Sequence, residues 1–195
     1  MTDAARSLWP PFTKPPACAG CPLERRGGPF VPGWGRLDAR LIIVAERPGG
    51  CEDGSCTCPM KAHLRGRPLV GKTGKAVHSA LRNDLSDTFL TNVRKCQVGN
   101  ESPAEKATSI AHCTAAYLQV EMDAISEAQR AAGVDRGAVL AIGADATKVL
   151  LARTNMQKYH GTFWTRAERD AMCATAEGAA RGDADELGED SDIPF

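Results

Sequence analysis

A three-layer α/β/α fold around a central, mostly parallel sheet is predicted by three observations. Short apolar runs rich in β-branched residues at 41–44, 88–93 and 138–142 read as strands. Stretches with helical spacing separate them, which favours parallel strands with helices on both faces. The first two runs lead into polar residues, Glu46 and Asn92, and the third into Gly143. Open α/β sheets bind ligands at such strand ends.

Residues 1–40 are rich in Pro and Gly and are expected to be extended, without regular structure. The run Leu41-Ile42-Ile43-Val44 reads as a strand buried on both faces. Ala45-Glu46-Arg47-Pro48-Gly49-Gly50 ends it in a tight loop. The next helix is expected near residues 75–83, and the second strand follows at 88–93. Apolar residues at helical spacing (Ile110, Cys113, Tyr117, Val120, Ala124) then give one long or broken helix over 104–131. Gly143 turns the third strand into a helix over 144–151. One more helix is expected within 164–181, and from residue 182 the chain is acidic and reads as disordered. The organisation is thus a domain over 1–165, a helix within 166–181 and a tail over 182–195.

At 195 residues the chain has room for one domain with a real core. No apolar run approaches the ~20 residues of a membrane span, and the first residues lack the basic-then-apolar order of a signal peptide. A cytoplasmic monomer with no membrane partner is therefore expected. Formal net charge is zero, but residues 177–195 hold seven acids and one base. That leaves 23 bases against 17 acids before them, a net of +6, which suits a nucleic-acid partner as well as an ordinary soluble surface.

Eight cysteines in a reducing compartment favour metal or redox chemistry over disulfides. Cys18 and Cys21 form a C-x-x-C pair able to grip one metal or cluster, or to act as a redox pair. Cys51, Cys56, Cys58 and His63 fall within thirteen residues, a possible zinc set whose spacing matches no common finger. Gly66, Gly71, Lys72 and Thr73 match a phosphate-loop pattern, yet no strand signal precedes them, which sets the nucleotide-binding reading behind. Asn92 by itself reads equally as a ligand-binding amide or as a strand-end cap.

In order, these pieces resemble the iron–sulfur uracil-DNA glycosylases, family 4 of that superfamily, over residues 18–164. Cys18 and Cys21 with Pro22-Leu23 match the N-terminal cysteine pair. Ala45-Glu46-Arg47-Pro48-Gly49 stands where the family has Gly-Glu-Ala-Pro-Gly, with Glu52 as the downstream acid. Pro68-Leu69-Val70-Gly71 and Gly74 match its uracil-pocket loop. Thr91-Asn92-Val93 matches the base-reading strand and runs into Cys96; Cys113 takes the fourth cysteine position. Gly143-Ala144 and Gly161 match its later glycines.

The resemblance implies a 4Fe–4S cluster on Cys18, Cys21, Cys96 and Cys113. It implies hydrolysis of the N-glycosidic bond of uracil in single- or double-stranded DNA, with Glu46 and Asn92 as catalytic residues. Pro48, Gly49, Glu52, Leu69, Gly71 and Asn92 would bind the substrate. The departures are as specific. Leu69 replaces a base-stacking Phe, a contact worth roughly 1–3 kcal/mol. Arg47 replaces a small residue, where it would depress the Glu46 pKa or contact phosphate. The loop over 50–65 is longer than the family's, and its late His-Pro motif is absent, His160 falling before the matching glycine. Weak or absent excision is expected. The alternative is a non-catalytic iron–sulfur DNA-binding or replication-accessory protein that keeps the fold.

The last residues, Asp190-Ser191-Asp192-Ile193-Pro194-Phe195, are similar to the tail of bacterial single-stranded DNA-binding proteins. Six acids from Asp183 to Asp192 precede the terminal Ile-Pro-Phe. Such a segment is expected to dock on replication or repair enzymes through a basic rim and an apolar pocket.

Overall fold

The computed structural model describes residues 7–55, 57, 64–134 and 137–152. Among them a four-stranded mixed sheet carries helices on both faces. In chain order the elements are β1 (Trp34–Gly35), β2 (Leu41–Ala45), α1 (Lys72–Ala80), β3 (Thr88–Asn92), α2 (Pro103–Cys113), a π-helical turn (Thr114–Leu118), α3 (Gln119–Ala131), β4 (Ala138–Ala141) and α4 (Ala144–Leu151). The strand order is β1-β3-β2-β4. β2 runs parallel to both neighbours, and β1 runs antiparallel to β3. The three expected strands are therefore present and parallel.

Alternation along β2 builds the layers, because successive side chains of a strand point to opposite faces. Ile42 and Val44 pack with Phe89, Leu118, Ile125 and Ala146 on the face covered by α2, α3 and α4. Ile43 and Ala45 pack with Leu69, Val77 and Leu90 on the face covered by α1. β4 lies at the edge, and its Val139 and Leu140 are 43% and 46% exposed.

Several boundaries differ from expectation, each for a local reason. The 1–40 stretch is not wholly irregular: it holds a 3-10 turn at Pro16–Cys18 as well as β1. β1 is too short to leave a periodic signature. It lies close against β3, since a Cβ on Gly35 would fall 2.2 Å from the Thr88 carbonyl oxygen. Helix α1 begins at Lys72, three residues early, with Gly71 as N-cap; it stops before Arg82 and Asn83, which take left-handed φ values of 53° and 61°. Helix α2 begins at Pro103 because Ser102 and Glu105 form a capping box. The long helix is broken by the π turn directly after Cys113. The helix expected within 164–181, the acidic tail, and Cys56, Cys58, His63, His160 and Gly161 lie outside the described residues.

Candidate active site and thiol-lined cavity

The carboxyl ends of the three parallel strands gather the expected catalytic residues. Ala45 pairs with Asn92 across β2 and β3, so Glu46 leaves the sheet beside Asn92. The backbone extends the ladder one step further, with Val93 N–H donating to the Ala45 carbonyl and Arg94 N–H to that of Glu46. From the other side, the α4 N-terminus reaches Glu46, where the Asp145 N–H donates to Oε1 at 3.1 Å. The Glu46 carboxylate packs directly on Gly143: a Cβ there would lie 2.5 Å from it. A negative charge is favoured at that helix end.

Asn92 is fully buried, and neither its Nδ2 nor its Oδ1 has a hydrogen-bond partner. An unmet buried polar atom costs about 1–3 kcal/mol, and native structures keep one where it serves a ligand. Glu52 lies close enough for the carboxamide to stabilise its charge, without a hydrogen bond forming. The Glu52 carboxyl is pushed up by burial, against lowering contacts led by the Leu69 backbone N–H. Glu52 is placed by a turn in which its own N–H donates to the Gly49 carbonyl at 2.8 Å. Pro48 is buried in that turn, and Gly71 caps α1 with a Cβ position 3.8 Å from Glu52.

The two departures from the family pattern, Leu69 and Arg47, each have definite surroundings. Leu69 does not offer an open stacking face: it is 3% exposed, packed with Ile43, Val77 and Leu90. Its φ of 57° bends the loop so that Gly74 meets its carbonyl, where a Cβ would lie 1.6 Å away. Leu69 therefore shapes the loop through its backbone and its core packing. Arg47 makes no ion pair with Glu46 among the described residues; its Nη1 donates to the Val98 carbonyl at 2.6 Å. The exposed Arg47 stays available to an anion. The phosphate-loop match gains no support, since no strand lies between β2 and α1 among the described residues.

About 99 residues of sequence separate Cys18 from Tyr117, yet the Cys18 sulfur lies 3.0 Å from the Tyr117 hydroxyl. Cys18, Cys21, Cys96 and Cys113 line one cavity with Lys14, Leu23, Phe30 and Lys95. All four are free thiols. No three His, Cys, Asp or Glu residues among the described residues are placed to hold a single metal ion. The four cysteines nevertheless converge on one cavity. Lys14 fastens the N-terminal loop by donating to the carbonyls of Leu23, Glu24 and Gly27. Gly27 lets that loop approach, since a Cβ would fall 2.9 Å from the Cys96 sulfur.

Burial and the neighbouring Cys113 push the Cys96 thiol up to about 12. Burial also raises Cys113, against the backbone N–H of Lys95, and raises Cys18, against the Tyr117 hydroxyl. These thiols are protonated at neutral pH. Any metal bound by these thiols would displace their protons, so such binding would strengthen as pH rises.

No family model matches the chain. Curated relatives do match. A type-4 uracil-DNA glycosylase of Thermotoga maritima is 32% identical over 109 residues, covering 53% of this chain and 51% of that protein. That of Pyrobaculum aerophilum is 36% identical over 86 residues, 43% and 39% of the two chains. That of Saccharolobus solfataricus is 27% identical over 157 residues, 76% and 63%. The chain resembles the type-4 uracil-DNA glycosylases. The matches span about half the length of these relatives.

Beyond the residues that the type-4 resemblance supplied, sequence reading missed a buried charge network. Lys95 Nζ donates to Glu121 Oε2 at 2.7 Å, to Thr91 Oγ1 at 2.5 Å and to the Asn92 carbonyl at 2.9 Å. Glu121 Oε1 accepts the Gly33 N–H at 2.8 Å. The available signal was periodic: Glu121 stands on the buried stripe of Tyr117, Leu118 and Ile125, where an acid requires a partner. Arg94 was also missed; it is buried between Glu101 and Asp145, behind the α4 N-terminus.

Proposed function

We propose that this chain excises uracil from DNA by hydrolysing the N-glycosidic bond, and that its turnover is weak. The observation that supports this best is the buried, unpartnered Asn92 carboxamide beside Glu46 at the strand ends. An amide offers both a donor and an acceptor, which suits the edge of a uracil ring. In this reading Asn92 hydrogen-bonds the flipped base while Glu46 orients water and supports positive charge developing on the sugar. Pro48, Gly49, Glu52 and Gly71 form the walls, and Leu69 sets the loop. Because Asn92 is fully buried, a base reaches it only if the residues covering it rearrange. The leaving uracil anion lacks the family's late histidine, which limits the rate.

Cys18, Cys21, Cys96 and Cys113 would hold a 4Fe–4S cluster. Four thiols lining one cavity fit that donor set. Bound there, the cluster supplies a four-point tie between the N-terminal loop, the β3 extension and α2. The full burial of Asn92 gives the alternative, a non-catalytic DNA-binding protein, its own support.

One experiment decides between them: anaerobic loading with iron and sulfide at two pH values, then incubation with a uracil-containing oligonucleotide and alkali. About four irons per chain are expected, with better loading at the higher pH. Slow strand scission should fall roughly 10- to 100-fold in Asn92→Ala and also in Glu46→Gln. Loading without scission would leave the non-catalytic reading, and zinc in place of iron would overturn the cluster.

The acidic tail is proposed to dock on enzymes that read the tail of single-stranded DNA-binding proteins. Ile193 and Phe195 support this, after a run of acids drawn to a basic rim. A peptide of residues 186–195 is expected to bind such an enzyme and to lose most affinity without Phe195. Equal binding would reduce the tail to a charge effect.

A further inference from the structure

Lys95 stands between the two halves of this site. Three residues before it, Asn92 ends β3; one residue after it, Cys96 enters the thiol-lined cavity, which Lys95 itself lines. Its side chain is 1% exposed and uses all three donors, on Thr91 Oγ1, the Asn92 carbonyl and Glu121 Oε2. Its backbone is equally fixed: the carbonyl accepts the Val31 N–H at 2.7 Å, and the N–H favours the thiolate of Cys113. Glu121 takes up the Gly33 N–H and the Thr91 hydroxyl as well, so the lysine cannot shift without dislodging β1 and β3 together.

We propose that Lys95 is a positioning residue coupling the thiol cavity to Asn92: the residue lines the cavity wall, and its side chain holds the Asn92 backbone in register from behind that wall. The inference rests on the proposed iron–sulfur and uracil-reading roles. Four thiolates leave a 4Fe–4S cluster with net negative charge, and net charge and hydrogen bonds to sulfur set its potential. A buried cation at that wall favours the reduced, more negative state. Its loss makes reduction harder. The same loss frees the Asn92 carbonyl, so base recognition weakens with it.

The test uses the full chain loaded anaerobically with iron and sulfide, as native protein, Lys95→Met and Lys95→Met/Glu121→Gln. The double variant removes both buried charges and so remains informative if the single variant does not fold. Anaerobic spectroscopic titration of Lys95→Met is expected to show about a tenfold lower reduced-to-oxidised ratio at fixed potential, ~59 mV for a one-electron couple. Preference for a uracil oligonucleotide over its thymine counterpart, read by fluorescence anisotropy, should fall about tenfold. Lys14, the cavity's second lysine, bonds only carbonyls of the N-terminal loop. Lys14→Met is therefore expected to shift the potential and leave uracil preference intact. A Lys95→Met chain with native potential, or either Lys95 variant with native preference, overturns the coupling. A native chain that shows no uracil preference overturns the base-reading role and, with it, the coupling to Asn92, even where the potential shifts. A chain that takes up no iron overturns both.

Discussion

Replacing Glu121 by leucine is expected to destabilise the fold by about 3–5 kcal/mol. Glu121 and Lys95 are each 1% exposed and 2.7 Å apart. Removing the acid leaves a buried ammonium with no counter-charge, and it strips the Gly33 N–H and the Thr91 hydroxyl of their acceptor. A drop in Tm on the order of 10 °C follows for a chain of this size. The loss belongs to breaking the pair, not to the worth of the pair itself. Lys95→Met/Glu121→Leu, which exchanges both charges for apolar groups, is therefore expected to recover most of it. Urea unfolding at constant m-value measures the difference. A Glu121→Leu chain within about 1 kcal/mol of native would mean that Lys95 finds another partner or water.

The strands and the two shorter helices were legible because each is decided locally. β2 is apolar enough to be buried on both faces, and the glycine at 143 marks the turn from β4 into α4. The capping box of Ser102 and Glu105 went unread, and α2 starts at Pro103, one residue before the expected 104. β1 could not be read: two residues have no period, and its place beside β3 depends on Gly35 allowing close approach. The cysteine set came from family resemblance, because ligands from three distant segments share no spacing rule. Leu69 illustrates the opposite limit. Sequence alignment gives it a role in the pocket, while its side-chain direction follows from a left-handed φ that no motif encodes. The Lys95–Glu121 pair needed tertiary contact to be seen at all, since 26 residues separate the partners.

Gly143→Ala is expected to reduce uracil excision by about 100-fold, the size of effect that a displacement of about 1 Å produces at a reacting centre. Gly143 has φ 97° and ψ 167°, a region open essentially to glycine alone, at a cost of about 1–3 kcal/mol for other residues. A Cβ there would also fall 2.5 Å from the Glu46 carboxylate, too close for the two to coexist. Glu46 must then turn away from the Asp145 N–H that holds it, and the carboxylate leaves the strand ends where Asn92 lies. Gly133 supplies the control. Its φ is 70°, and a Cβ there meets nothing within 4 Å, so Gly133→Ala carries backbone strain without touching Glu46. Gly143→Ala, with a clash added to its strain, should lose more stability in urea than Gly133→Ala, and it alone should lose turnover beyond what its stability loss explains. Equal residual excision in the two loaded proteins would separate the chemistry from the position of Glu46 and refute its assigned role.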